Sequence, residues 1–121
     1  MENIFWCKNC LNMSTRPRIS FNKHGICNAC QWSDLKKTFD WKKREQKLKT
    51  LLSKYKSKDG GFDCIVPVSG GKDGSYVAHQ LKHKYKMNPL TITSRPALSL
   101  EIGERNLKSF INSGYDHIHV T

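Results

Sequence analysis

The chain has 121 residues, 37% of them hydrophobic, which suits one domain with a modest core or one small domain plus a module. No stretch approaches the roughly 18 apolar residues of a membrane span, and the N-terminus lacks the basic start and apolar core of a secretion signal. We therefore expect a cytoplasmic protein, in which paired cysteines more often hold a metal than form disulfides.

The net charge of +11 is unevenly distributed along the chain. Positions 1–60 carry 14 basic and 5 acidic residues, whereas positions 61–121 carry 7 and 5. A basic N-terminal half is compatible with nucleic acid, an anionic substrate or an acidic partner protein as a ligand. A solvated, lysine-rich helix face explains the same excess without any ligand, and composition alone favours this explanation.

Four cysteines form two C-x-x-C pairs, Cys7 with Cys10 and Cys27 with Cys30, within residues 1–39. Each pair can wrap a tight turn around one side of a tetrahedral ion, and two pairs complete its ligand shell. Two disulfides are the alternative. Because cysteines fill all four positions, the sequence predicts a structural Zn²⁺ in a module with little regular structure. The basic residues close enough in sequence to offset the thiolate charge are Lys8, Arg16, Arg18 and Lys23.

A hairpin and then a helix are predicted next. Residues 18–21 alternate basic and apolar, and residues 22–25 have the composition of a turn, which together predict a hairpin. From Asp40, placed as an N-cap, apolar residues recur at helical spacing until two glycines end the pattern. We predict a basic linking helix over 40–61 that lies on the next domain. Its apolar face is expected to contain Trp41, Leu48, Leu51, Leu52 and Tyr55.

Strands alternate with helices through the rest of the chain. Apolar runs predict strands at 62–68, 88–93 and 117–120, with helices at about 75–85 and 99–112 between them. This alternation predicts βαβ units and a parallel sheet. The buried faces of the two helices are expected to contain Val77, Ala78, Leu81 and Tyr85, and Leu100, Leu107, Phe110 and Ile111.

The predicted fold is therefore α/β. A four-cysteine zinc module (1–39) and the linking helix (40–61) precede a nucleotide-binding domain (62–121), the first half of a doubly wound parallel sheet with three βα units. Three parallel strands are a poor finished sheet, because both edges and part of each face normally need covering. We expect the N-terminal part of a longer protein, or one completed by a partner, with a self-sufficient miniature as the alternative.

The loop between the first strand and its helix has the composition of a phosphate-binding site. It lies at the carboxyl edge of the predicted sheet, where open α/β folds bind ligands. Two glycines let backbone N–H groups approach an anion, and the helix start adds unpaired N–H groups. A lysine adds charge, two serines add hydroxyls, and an aspartate could hold Mg²⁺. The loop matches neither the Walker A nor the dinucleotide fingerprint, and a glycine-rich turn with a capped helix is the alternative. Its residues are Ser69, Gly70, Gly71, Lys72, Asp73, Gly74 and Ser75.

This loop, SGGKDGS, resembles the pyrophosphate loop (S-G-G-x-D-S) of ATP pyrophosphatases, enzymes that split ATP into AMP and pyrophosphate. The wider pattern resembles the N-acetyl sugar amidotransferases of bacterial lipopolysaccharide O-antigen synthesis and flagellin-sugar modification. The stretches CKNC, RPRISF, GICNAC, DWKKR, DCIVPVSGGKDGSY and MNPLTIT occur in the order of that family. The resemblance covers nearly the whole chain but only the N-terminal third of family members.

The resemblance implies an ATP-dependent amidotransferase. The loop would hold the pyrophosphate part of Mg-ATP while the acetamido oxygen of a nucleotide-linked N-acetyl sugar attacks the α-phosphate. Ammonia from glutaminase-like and cyclase-like partner subunits would then displace AMP and leave an acetamidino group. The resemblance implies that Lys72 and Asp73 are catalytic and that residues 69–75 bind ATP. Gly74 stands where the general motif has serine, so Ser75 is expected to supply the hydroxyl, and the end of the second strand, near Thr93 and Ser94, is expected beside the adenosine.

Two other interpretations stay open. Zinc modules joined to pyrophosphate loops also resemble tRNA thiolation enzymes, and a lysine-rich helix suits phosphates. Such enzymes often need extra reactive cysteines in the loop domain, where this chain has only Cys64, predicted to be an inert buried thiol. The second alternative is a non-enzymatic zinc- and nucleotide-binding module that acts through a partner. The spaced histidines are expected to be ordinary surface or strand residues: His79 and His83, and His117 and His119.

Overall fold

The computed structural model describes residues 3–95 and 97–120, and the chain divides into two compact units, Met1–Lys43 and Arg44–Thr121. The predicted domain boundaries at 39/40 and 61/62 stay predictions. Within the described ranges, none of the helices is both long and apolar enough to cross a bilayer. The elements are α1 (Asn28–Lys37), α2 (Trp41–Tyr55), β1 (Cys64–Pro67), α3 (Lys72–His79) with a π-helical turn (Gln80–Lys84), β2 (Pro89–Ser94), α4 (Glu101–Asn112) and β3 (His117–Val120).

The first unit contains the predicted hairpin and a helix that the sequence did not reveal. The hairpin is reduced to one antiparallel bridge, between Phe21 and Cys27, and Gly25 adopts a positive φ of 75° in its turn. The expectation of little regular structure was wrong for α1, which begins directly after Cys27. That N-cap residue makes no side-chain capping bond, and Cys30 is the helix's one buried residue, so neither a start signal nor an apolar stripe marked the helix.

Helix α2 begins where the sequence predicts but does not bury its apolar face. The carboxylate of Asp40 accepts a hydrogen bond from the Lys43 N–H at 2.9 Å, which confirms the predicted N-cap. None of the residues of α2 is buried, and only Leu52 of its apolar stripe is half-buried. Polar contacts link α2 to the rest of the second unit instead, because the Glu45 carboxylate lies 2.8 Å from the Lys84 ammonium.

The second unit is built on a parallel sheet, as predicted, and its strand order is β1-β2-β3. Paired residues share a face of a sheet, so Val66 lies on the same face as Thr91 and His117. Residues of both helices share one hydrophobic cluster with this face. The cluster contains Val66, Val68, Ala78, Leu107 and Tyr115, with Cys64, Leu81, Phe110 and Ile111 partly buried around it.

The opposite face of the sheet is apolar and uncovered within the described residues. A sheet that grows in one direction, from β1 to β3, receives both right-handed crossovers on the same side, which explains this asymmetry. Ile65 is 63% exposed there, and none of the face's residues is buried. We call this surface the open face; it is formed by Ile65, Pro67, Leu90, Ile92, Ser94, Ile118 and Val120.

Two residues predicted to lie in helix cores are exposed. Val77 is 48% exposed, because α3 turns Ala78 towards the sheet, and Leu100 is 76% exposed, because it precedes α4 as its N-cap residue. Helix α3 begins at Lys72, earlier than expected, and its last turn, Gln80–Lys84, is π-helical. The π-helical turn departs from the 3.6-residue period on which the predicted stripe was based.

Asp63 ties the chain after α2 to the beginnings of β1 and β2. Its carboxylate accepts hydrogen bonds from the N–H of Ser57 at 2.5 Å and from the N–H of Asn88 at 2.6 Å. These two donors, Ser57 first, lower the pKa of Asp63. A lowered folded-state pKa means that the ionised carboxylate stabilises the fold above its unfolded pKa of about 3.9. That contribution is lost as the pH falls through the folded value.

We therefore expect Asp63→Asn to lower the melting temperature of the second unit by about 5 °C at pH 7. The difference from the wild type should shrink towards zero as the pH falls below about 4, because a protonated carboxyl and an amide each retain a single good acceptor. Amide NMR signals of β1 and β2 during thermal unfolding report on this unit alone. A difference that stays constant from pH 7 to pH 3 would contradict the role of the ionised group.

Candidate functional site

The four paired cysteines meet in space, as predicted. Their sulfur atoms all lie within 4.8 Å of one another, and the sulfurs of Cys10 and Cys27 are 3.5 Å apart. All are free thiols, and a disulfide would need about 2.05 Å between sulfurs. Around an ion with Zn–S bonds of about 2.3 Å, tetrahedral sulfurs stand roughly 3.8 Å apart. The four cysteines can therefore hold a metal, and the site fits a structural zinc; they are Cys7, Cys10, Cys27 and Cys30.

Backbone N–H groups favour the thiolate form, which metals bind, at two of the four cysteines. The N–H of Cys27 donates to the Cys7 sulfur at 3.2 Å, and the N–H of Asn9 does so at 3.4 Å. Burial, the largest single influence, raises the pKa of Cys7, but these N–H groups and that of Cys10 together lower it to about 6. The N–H of Cys30 is the main cause of a lowered pKa at Cys27. The Asn9 side chain lowers the pKa of Cys30, but the sulfur of Cys10, burial and the sulfurs of Cys27 and Cys7 outweigh it and raise that pKa to about 12. Thiolate is the ligand form, so the surroundings favour it at Cys7 and Cys27, whereas Cys30 must lose its proton when a metal binds.

Two side chains, Asn12 and Arg16, form a chain of hydrogen bonds that ends at Cys10, the exposed cysteine of the cluster. The side-chain amide nitrogen of Asn12 donates a hydrogen bond to the Cys10 sulfur at 3.2 Å. The same nitrogen lies 3.8 Å from the Cys27 sulfur. The Arg16 guanidinium in turn donates to the side-chain oxygen (Oδ1) of Asn12 at 2.8 Å. Arg16 was expected near the cluster because of its charge, but Asn12 was missed. Outer partners of this kind orient metal ligands and tune their basicity.

The loop after β1 is held in place by a direct backbone contact with α4. The N–H of Val68 still bonds to the carbonyl of Ile92 at 2.9 Å, and the chain then turns at Gly70, whose φ is +79°. A Cβ on Gly70 would lie 2.8 Å from the nitrogen of Leu107 and 3.0 Å from the carbonyl oxygen of Gly103. Gly71 follows in an extended conformation and α3 begins at once. The loop is thus fixed between β1, α3 and α4.

Most loop side chains are exposed and available. Ser69, Lys72 and Asp73 are exposed, and none of their side chains has a hydrogen bond or ion pair with another described residue. Ser75 differs, because its hydroxyl donates to the Gly71 carbonyl at 2.8 Å. Among the hydroxyls of the loop, Ser69 therefore has its proton free for a ligand, whereas that of Ser75 is already used within the first turn of α3.

Two clefts open beside the loop at the carboxyl ends of β1 and β2. One, of about 220 Å³, lies towards α4, and the other, of about 250 Å³, lies towards Gly74. Ser69, Thr93 and Ser94 line both, so the two residues expected near adenosine do lie beside the loop. The buried hydroxyl of Thr93 donates to the Val68 carbonyl and joins the two strand ends.

The histidines form two pairs, and none of them lines either cleft beside the loop. The rings of His79 and His83 are 4.5 Å apart on the surface, and those of His117 and His119 are 4.7 Å apart. The Nδ1 atom of His117 lies 2.9 Å from the Thr91 hydroxyl, which donates to a backbone carbonyl. Within residues 3–95 and 97–120, the four cysteines are the one group of three or more candidate ligands.

Comparison with known proteins shows a similarity to an archaeal protein. No family model matches the chain. An uncharacterized protein of the archaeon Methanocaldococcus jannaschii is 32% identical to it over 87 residues, which cover 71% of this chain and 31% of the relative. The chain therefore spans about a third of the length of this curated relative. The two sequences are therefore similar over most of this chain, but the name of the relative does not state an activity.

Proposed function

We propose that this chain is the ATP-binding part of an amidotransferase that converts the acetamido group of an N-acetyl sugar into an acetamidino group. The observation that carries the proposal is the fixed loop at 69–75. Its exposed lysine, free serine hydroxyl and helix N-terminus all lie at the carboxyl edge of a parallel sheet, next to two clefts. The resemblance to pyrophosphate loops supplies the reaction.

In this proposal the triphosphate and the adenosine bind side by side. Backbone N–H groups at the start of α3 and the ammonium of Lys72 would bind the pyrophosphate part of ATP. Asp73 would hold the Mg²⁺ that accompanies it. The adenosine would occupy the cleft beside Thr93 and Ser94, since Ser69 borders both the loop and that cleft. Lys72 would stabilise the negative charge that develops on the departing pyrophosphate.

The proposed reaction has two steps. The acetamido oxygen attacks the α-phosphorus, the bond to pyrophosphate breaks, and an adenylated imidate results. Ammonia then adds to the imidate carbon, and AMP leaves with the former acetamido oxygen. Two parts of this proposal rest on the resemblance alone. One is that the sugar is nucleotide-linked, and the other is that glutaminase-like and cyclase-like subunits supply the ammonia.

A doubly wound sheet belongs to the same proposal. The open face is apolar and has no buried residue in the described part of the chain, which supports further helices covering it in the complete enzyme. We likewise assign Zn²⁺ to the cysteine cluster. Four thiolate ligands leave no open position, so this ion would stabilise the N-terminal unit and take no part in the reaction.

The proposal is tested by titrating Mg-ATP into the zinc-loaded chain in a calorimeter. We expect saturable binding that Lys72→Ala weakens by about tenfold or more, because a charge-assisted contact to phosphate is lost. Lys58→Ala removes another exposed lysine, one that precedes β1 and is not part of the loop, and should leave binding unchanged. Absence of saturable binding by the folded chain, or equal loss in both variants, would contradict the proposal.

Nucleic acid is the competing ligand, and one observation favours it. Exposed basic residues cover much of α2, including Lys42, Lys43 and Lys47, as tRNA modification would require. RNA binding weakens steeply with salt because many phosphates are neutralised, whereas the binding of ATP, with only three phosphates, should respond less. Formation of AMP that depends on an N-acetyl sugar and ammonium would favour the amidotransferase. ATP binding without AMP formation would favour a non-enzymatic module.

A further inference from the structure

Gly74 lies on the first turn of α3, where this helix meets the end of β1. A Cβ at position 74 would lie 2.7 Å from the carbonyl oxygen of Pro67 and 3.1 Å from the Cα of Val68. Real Cβ atoms essentially never approach another heavy atom within 3.0 Å. The φ of Gly74 is not positive, so the close approach, not the backbone conformation, requires glycine here.

This contact cannot be relieved by a side-chain rotation. The two nearest atoms belong to the backbone of Pro67, the last residue of β1, and of Val68, which follows it. Both residues are held by β2, because Pro67 pairs with Ile92 and the N–H of Val68 donates to the Ile92 carbonyl. A side chain at 74 must therefore push α3 away from the sheet. Lys72 and Asp73 belong to the same helical turn, so their N–H groups and side chains would move with it.

We infer that Gly74 is a positioning residue for the phosphate loop. Its missing side chain seats the N-terminus of α3 on the end of β1 and so sets where Lys72 and the first helical N–H groups point. A second consequence concerns serine, which also has a Cβ and is therefore excluded from position 74. This position can offer a ligand its backbone N–H but no hydroxyl. The inference rests on the proposed function, because it takes the ligand of the loop to be phosphate.

Stability gives the first test, with Gly103 as the matched control. Both glycines lie in helices of the second unit, but a Cβ on Gly103 meets nothing within 4 Å. Gly103→Ala should raise the melting temperature by a few degrees, as alanine does in an open helical position. Gly74→Ala and Gly74→Ser should each lower it by about 10 °C. Similar shifts for Gly74→Ala and Gly103→Ala would overturn the packing requirement.

Nucleotide binding separates positioning from mere destabilisation. Well below its melting temperature, Gly74→Ala should bind adenosine as the wild type does but lose about tenfold or more in affinity for Mg-ATP. Asp63→Asn, destabilised at the other end of β1, should keep both affinities. Unchanged ATP affinity in Gly74→Ala would overturn the inference alone. A wild-type chain that binds no ATP would instead overturn the proposed function and, with it, the phosphate role, while the melting comparison would still report on the packing.

Discussion

Replacing Cys27 by serine is expected to abolish tight metal binding and to unfold the first unit, Met1–Lys43. Cys27 is fully buried, and its sulfur lies 3.5 Å from the sulfur of Cys10. Its replacement therefore removes one of the four metal ligands at a position that solvent cannot reach. The core of this unit is small: three buried cysteines with Ile19, Phe21 and Ile26 partly buried around them. Folds near 40 residues usually need a metal or disulfides, and structural zinc contributes about 10–16 kcal/mol in comparable peptides.

Metal content and tryptophan emission measure this loss. All three tryptophans, Trp6, Trp32 and Trp41, belong to the first unit, so their emission reports on its folding. Cys64→Ser is the matched control, because Cys64 lies in β1 and is not one of the four clustered cysteines. Burial, and to a lesser extent the Asp63 carboxylate, raises the pKa of its thiol, which disfavours the thiolate that metals bind. We expect one metal per chain in that control and none held tightly in Cys27→Ser. Full metal content with native emission in Cys27→Ser would refute the four-cysteine site.

The second large effect is expected from Gly70→Ala, which should destabilise the second unit by about 3 kcal/mol or more. The substitution has two costs. A left-handed conformation, here φ +79°, costs a residue with a Cβ about 1–2 kcal/mol. The new Cβ would also lie 2.8 Å from the nitrogen of Leu107, so α4 must move. Backbone displacement of this kind belongs among the most damaging single changes.

Gly60 supplies the control that separates these two costs. Its φ is +83°, but a Cβ there meets nothing within 4 Å. Gly60→Ala should therefore lose only the conformational part, about 1–2 kcal/mol. Denaturant dependence of amide exchange in β2 measures both variants in the second unit. If both variants lost the same free energy of unfolding, α4 would be able to move away from the new Cβ at no cost. That result would contradict the conclusion that α4 fixes the phosphate loop.

Local patterns in the sequence predicted the parts of this structure that depend on local chemistry. The spacing of Cys7, Cys10, Cys27 and Cys30 was sufficient to group the cluster, because two tight turns around one ion impose it. The alternation of strands and helices was sufficient for a parallel sheet. Asp40 was recognised as an N-cap from its position alone.

Contacts between elements were not predictable in the same way. Helical spacing identified the apolar stripe of α2. It could not show that this stripe is not buried, or that Glu45 on the same helix forms an ion pair with Lys84. Asn12 reaches Cys10 only because of how the first cysteine turn folds, and no spacing rule marks it. Gly74 seemed a departure from a motif, whereas its role depends on the distance between α3 and β1.

The open face of the sheet has a thermodynamic consequence. The heat capacity of unfolding rises with the apolar surface that unfolding newly exposes, typically by about 12–15 cal/mol/K per residue in complete domains. In the second unit the side chains of Ile65 and Ile118 are already 63% and 43% exposed while folded. Its stability should therefore vary with temperature along a flatter curve than that of a finished sheet of equal length. Anything that covers this face will steepen the curve as well as raise it.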